Sequence, residues 1–142
     1  MRDQVEQLRK RGIKADCLVS GLSDREREAV VNNCLYGGTK LLYVSPERLQ
    51  QRAFITQILL MQVSLIAIDE AHCISQWGFD FRPSYLQLSQ LRSLFPTVPI
   101  IALTASATPR VQNDIRTLLN FNTGYQTFTA SFSRPNLAYM AL

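Results

Sequence analysis

The 142-residue sequence predicts an α/β domain with a mostly parallel sheet flanked by helices. Three observations lead there. Short apolar, strand-like runs alternate with helical patterns from one end of the chain to the other. One of these runs, Val63-Ser64-Leu65-Ile66-Ala67-Ile68, passes directly into two acids, Asp69 and Glu70. A strand buried on both faces reads this way, and open α/β sheets place ligand chemistry at such strand ends. The composition, 46% hydrophobic and 18% charged, is that of a globular core rather than a disordered chain.

The elements follow in order. Asp3–Arg11 reads as a short helix ended by Gly12, and Ala15–Val19 as a strand. Ser23–Tyr36 reads as a helix opened by a capping box, Ser23-x-x-Glu26, and closed by Gly37-Gly38. Lys40–Val44 is the next strand. Ser45 and Pro46 then supply an N-cap and a first-turn proline, and Gln50–Met61 continues as a helical or broken-helical stretch. After the Val63–Ile68 strand a long loop runs through Arg82, followed by a helix over Pro83–Phe95 and a strand over Ile100–Leu103. Pro109–Leu119 is a further helix and Tyr125–Thr129 a last strand. The polar, proline-containing stretch from Ser131 to Asn136 breaks the pattern as a linker does, which puts a boundary near Ser131.

Bulk properties narrow the class. The longest apolar stretches, near Ile55–Val63 and Val98–Leu103, fall far short of the roughly 20 residues of a membrane helix. The start, Met1-Arg2-Asp3-Gln4-Val5, has no signal-peptide apolar core, so an intracellular location without membrane contact is expected. Cys17, Cys34 and Cys73 are odd in number and widely spaced, and the chain has one histidine, which argues for buried free thiols over a disulfide framework or a zinc site. A net charge of +4 permits nucleic-acid binding without requiring it.

The chemistry concentrates after the Val63–Ile68 strand. Carboxylate oxygens are hard ligands suited to Mg²⁺, so Asp69 is the candidate metal-side acid, while Glu70 is the candidate general base for an attacking water. Two surface acids at a strand end are the plain alternative. His72 would lie between a phosphate site and the loop behind it. In that loop Trp77, Phe79 and Phe81 alternate beside Gly78 and Arg82, an arrangement suited to stacking on unpaired bases, although an ordinary core strand also alternates its aromatics. The stretch Ser45-Pro46-Glu47-Arg48-Leu49 sets a helix N-terminus straight after a strand, where it either receives a phosphate or simply starts a helix. The hydroxyls of Thr104, Ser106 and Thr108 either bond the Asp-Glu loop on the neighbouring strand or cap the next helix.

Asp69-Glu70-Ala71-His72 with Cys73-Ile74-Ser75-Gln76-Trp77-Gly78-Phe79-Asp80-Phe81-Arg82-Pro83 closely resembles the DExH box and aromatic-rich loop of RecQ-family DNA helicases, and the rest of the chain agrees in order and spacing. The resemblance implies that residues 1–130 are the latter part of a first RecA-like lobe lacking its phosphate-loop strand, and that residues 131–142 lead toward or begin a second lobe. It implies an ATP-dependent motor moving 3′ to 5′ on DNA in replication, recombination and repair, with ATP and Mg²⁺ as cofactors, Mg²⁺ being held by Asp69 through water. The partner it implies is single-stranded or partly duplex DNA, met at a bacterial nucleoid or in a eukaryotic nucleus. By the same resemblance, Gln76, Trp77, Phe81 and Arg82 match the single-strand sensor, Ser45 and Arg48 lie on the DNA face, and His72, Thr104, Ser106, Thr108 and Arg134 couple hydrolysis to strand separation. Phe79 departs from the pattern, since the family most often has histidine there. No Gly-x-x-x-x-Gly-Lys-Ser/Thr occurs in the 142 residues, so the chain alone is expected to be inactive and to self-associate through open strand edges. A non-enzymatic single-strand-binding module, a protein-interaction remnant and a DExH motor acting on RNA are the competing functions.

Overall fold

The computed structural model describes residues 1–19, 21–121 and 123–130. Helices α1 (Arg2–Lys10) and α2 (Asp24–Leu35) bracket strand β1 (Ala15–Leu18). Strand β2 (Leu41–Val44), α3 (Arg52–Leu59), β3 (Ile66–Ile68), α4 (Leu91–Leu94), β4 (Ile100–Ala102) and α5 (Pro109–Leu118) follow. Short 3₁₀ segments cover Pro46–Gln50, Ala71–Ile74 and Pro83–Gln90. The result is an α/β arrangement of short parallel sheets flanked by helices, consistent with a partial RecA-like lobe.

Local chemistry accounts for the helix ends. Ser23 Oγ accepts the Glu26 N–H at 3.3 Å while the Glu26 carboxylate accepts the Ser23 N–H at 2.8 Å, so the capping box closes in both directions. The Ser23 hydroxyl, donating to Glu26 Oε2 at 2.6 Å, and then the Ser23 N–H hold the Glu26 carboxyl below the usual carboxylate range. Thr108 Oγ1 accepts the Val111 N–H and Pro109 takes the first turn of α5, where its missing N–H costs nothing. Gly12 and Gly37, at φ of 77° and 75°, release the chain from α1 and α2 through left-handed turns.

The sheet departs from expectation in three ways. First, β1 pairs only with β2 and β3 only with β4, both parallel, giving two two-stranded sheets rather than one continuous sheet among the described residues. Second, β3 is three residues long instead of six and is not buried on both faces. Ile66, Ile68, Ile100 and Ala102 turn toward the core, while Leu65, Ala67, Ile101 and Leu103 face solvent. A run of apolar residues fixes the face pattern only when a layer covers each side, and here one side is open. Third, Tyr125–Thr129 is not a strand. A strand exists only as a rung of a ladder, and this segment has no described strand beside it; Tyr125 instead accepts a 2.6 Å hydrogen bond from Arg116, and Phe128 is exposed.

Two expected helices are also tighter than foreseen. Pro83–Phe95 resolves into a 3₁₀ segment and the four-residue α4. With about three residues per turn, Tyr85, Leu88, Leu91 and Leu94 line up as one apolar ridge against the core. The helix start at Ser45 is a five-residue 3₁₀ segment, and Ser45 makes no side-chain cap; so short a turn sums little dipole, which favours the plain helix start over the phosphate-receiving one. The three cysteines are free, but only Cys73 is buried; Cys17 and Cys34 are half-buried because β1 and α2 lie near the surface at those positions.

Candidate functional site

Residues 71–75 are all buried, with Ala71 and Ser75 wholly inaccessible, whereas Asp69 and Glu70 immediately before them are exposed. Two acids are therefore presented to solvent on a rigid footing. The footing starts in the sheet: Leu103 N–H donates to Ile68 O at 2.8 Å and Ala71 N–H to Leu103 O at 2.9 Å, carrying the β3–β4 ladder past the strand ends. Glu70 makes the turn between them with φ 50° and ψ 41°. A left-handed non-glycine residue costs roughly 1–2 kcal/mol, so the surrounding structure holds this corner against its preference. The Glu70 N–H donates to Asp69 Oδ1 at 2.9 Å, and the Tyr85 hydroxyl donates to the Asp69 carbonyl at 3.2 Å. Burial pushes the Tyr85 hydroxyl pKa up, which keeps its donor proton in place.

His72 is 8% exposed and links three parts of the site. Its Nδ1 lies 2.9 Å from Thr104 Oγ1 and 3.4 Å from a Glu70 carboxylate oxygen. The Thr104 bond forms with either ring tautomer, because a hydroxyl both donates and accepts. Thr104 in turn accepts the Ser106 N–H at 3.2 Å and bonds the Ser106 carbonyl. Thr108 caps α5 directly after this turn. Box and hydroxyl segment are thus in contact across a sequence distance of 32 residues.

Behind His72 the loop is knotted to α5. Ser75 Oγ donates to Asp114 Oδ2 at 2.5 Å and accepts the Trp77 N–H at 3.1 Å. Trp77 is 61% exposed, and the Arg110 guanidinium sits 3.5 Å from its ring centroid. Phe79 is almost fully exposed, Phe81 is half-buried, and Gln76 is exposed. Arg82 is paired with Asp80, its Nε donating at 3.0 Å, which holds the guanidinium firmly protonated. Sequence reading missed Ser75, Asp114, Arg110 and Tyr85. Only the position of Ser75 two residues before Trp77 offered a signal, as the spacing of a side-chain-to-backbone turn.

Among the described residues neither Ser45 nor Arg48 bonds to the acids. Arg48 donates to Val19 O and to Gln51 Oε1, both at 3.2 Å, so its guanidinium is occupied within the fold. Their 3₁₀ segment packs on the one that follows the loop, where Gln90 Nε2 donates to Leu49 O. Glu47 is held below the usual carboxylate range, chiefly by its own N–H and then by the Ser84 hydroxyl, against a small opposing effect of burial and with help from Ser45 and Arg82. Arg134 lies outside the described residues, as does the expected 131–142 segment.

The donor set suits a hydrated Mg²⁺ better than an all-protein cage. Among the described residues Asp69 keeps one carboxylate oxygen clear of intramolecular bonds and is exposed, and no group of three or more metal-binding side chains occurs. A surface depression of about 340 Å³, bordered by Arg9, Lys14, Asp16 and Asn33, shares no residue with this site. No described helix is long and apolar enough to cross a membrane.

The profile of the DEAD/DEAH box helicase family matches residues 1–115. Over 98% of its length the chain is 49% identical to the ATP-dependent DNA helicase RecQ of Pasteurella multocida and 45% identical to that of Bacillus subtilis. It is 44% identical, again over 98% of its length, to the ATP-dependent DNA helicase Q-like 2 of Arabidopsis thaliana. The chain spans 22%, 24% and 21% of these relatives, respectively.

Proposed function

The chain belongs to the DEAD/DEAH box helicase family, and from that membership we propose that it is the latter part of the first motor lobe of an ATP-dependent, 3′-to-5′ RecQ-type DNA helicase. The observation that carries the reading is the His72 to Thr104 contact, which ties an exposed Asp-Glu pair to the segment that starts α5. Asp69 would hold the nucleotide's Mg²⁺, and that ion would supply neutralisation of the charge developing on the phosphate oxygens. Glu70 orients the attacking water and takes its proton at a carboxylate oxygen as the water oxygen bonds to the γ-phosphorus and ADP leaves. His72 senses Glu70 on one side and Thr104 on the other, and performs no bond-breaking itself. Thr104, Ser106 and Thr108 carry the state of the acids into α5, and Trp77, Phe79, Phe81 and Arg82 carry the state of the DNA into the same helix. A role for Arg134 in the passage to the second lobe belongs to the same reading, as do Ser45 and Arg48 on the DNA face.

The test is Trp77→Ala in the full-length protein. Single-stranded DNA should stimulate its ATP hydrolysis far less than in the wild type, while DNA affinity falls by less than about tenfold, the low end of one lost base stack. Side-by-side titrations decide it. A large loss of affinity with stimulation intact at saturating DNA would make the loop a grip and not a sensor.

For the 142-residue chain alone we propose weak ATP binding, no unwinding and self-association. Leu65, Ile101 and Leu103 are 57%, 44% and 46% exposed on one face of the β3–β4 pair, an apolar surface that a second copy can cover. Light scattering should show mass rising with concentration. A clean monomer with micromolar ATP affinity by calorimetry would contradict the expectations of self-association and weak ATP binding.

A further inference from the structure

We infer that Arg110 is the positioning residue that sets how much DNA the aromatic loop needs before it responds, because its guanidinium covers the Trp77 face that a base would stack on. The inference rests on the sensing role proposed above for the loop. Arg110 and Asp114 are four residues apart on α5 and so project from the same face of the helix. They hold the loop in different ways. Asp114 binds the wholly buried Ser75, whose hydroxyl also fixes the Trp77 N–H, so the loop's base stays attached whatever happens at its tip. Arg110 lies 3.5 Å from the ring centroid of Trp77, a residue that is 61% exposed, so its hold is at the surface and open to competition.

Magnitudes favour displacement. A cation over an exposed indole favours the closed arrangement by about two- to fivefold. A base stacked on an aromatic contributes about 5- to 150-fold per base. An incoming base therefore wins the ring, and Arg110 must leave it. Arg110 is the second residue of α5, two positions after the Thr108 cap and close behind the Thr104–Ser106 turn that touches His72. Releasing it frees the first turn of α5 from the loop at the point where α5 joins the box.

The test titrates ATP hydrolysis of the full-length protein with oligothymidylate at several salt concentrations, for the wild type, Arg110→Ala, Trp77→Ala and the double variant. Arg110→Ala should lower the half-stimulating DNA concentration about two- to fivefold, the closed-state bias that it removes. It should also raise DNA-free turnover, leave the saturating rate unchanged, and leave the salt dependence of DNA affinity as it was. The double variant should behave as Trp77→Ala does alone. A higher half-stimulating concentration, with the logarithmic salt slope reduced by about one, would make Arg110 a phosphate contact and overturn the inference. An unchanged half-stimulating concentration would overturn it as well. If Trp77→Ala loses stimulation while Arg110→Ala changes nothing, the covering role alone fails; if Trp77→Ala keeps full stimulation, the sensing role fails with it.

Discussion

Glu70→Gln in the full-length protein is expected to bind ATP and DNA as the wild type does and to turn over about 10²- to 10⁴-fold more slowly, the usual cost of losing a positioned general base. The substitution keeps the length and the hydrogen-bonding shape of the side chain and removes the proton acceptor. Its structural cost should be small. The Glu70 side chain is 57% exposed, its only close polar neighbour among the described residues is His72 Nδ1 at 3.4 Å, and glutamine meets the left-handed backbone with the same unbranched Cβ. Single-turnover hydrolysis separates the effect from binding. Near-normal turnover in this variant would remove Glu70 from the role of base and leave the acids a structural corner. Asp69, whose Oδ1 is engaged by the Glu70 N–H, then could not rescue the assignment, since a metal-side acid does not replace a base.

Helices α2 and α5 were legible because their ends are written locally, whereas Pro83–Phe95, whose 3₁₀ turns follow from its packing on the core, was not. The Ser23 box and the Thr108 cap need only residues three positions away, and both closed as read. Strands were legible as runs but not as partners. Nothing inside Tyr125–Thr129 says whether another strand will lie beside it, and nothing inside Val63–Ile68 says that only one face will be covered. The site divides in the same way. Asp69, Glu70, His72, Thr104 and Trp77 stood out by residue type and spacing, yet the contact of His72 with Thr104 spans 32 residues and that of Ser75 with Asp114 spans 39. Those contacts belong to the packing of α5 on the turn after β3, which no short window of sequence encodes. The family profile and the RecQ relatives support the reading of the box from outside the fold, and they leave the individual roles of these residues to experiment.

Gly78→Ala is expected to uncouple DNA from hydrolysis, and the reason is space. A Cβ at Gly78 would lie 2.3 Å from the His72 carbonyl oxygen, 3.1 Å from that of Ser75 and 3.2 Å from the His72 carbonyl carbon. All three are backbone atoms, so no rotamer change relieves the contact. The turn they belong to is closed by the Ser75 N–H on His72 O at 3.2 Å and the Gly78 N–H on Ser75 O at 2.9 Å. Making room for one methyl group must open that turn, which moves Trp77 away from Arg110 and strains Ser75 against Asp114. Overpacking of this kind costs about 1–3 kcal/mol of stability. Displacing the sensing surface by about 1 Å should lower DNA stimulation about 10- to 100-fold. Asp69 and Glu70 precede the turn and are held by β3, β4 and Tyr85, so DNA-free hydrolysis should stay within a few-fold of the wild type. Thermal melting and DNA-stimulated hydrolysis, measured on the same preparation, check both halves. An alanine variant that melts with the wild type and keeps full stimulation would show that the loop tolerates an open turn, and that its tie to His72 does not transmit the DNA signal.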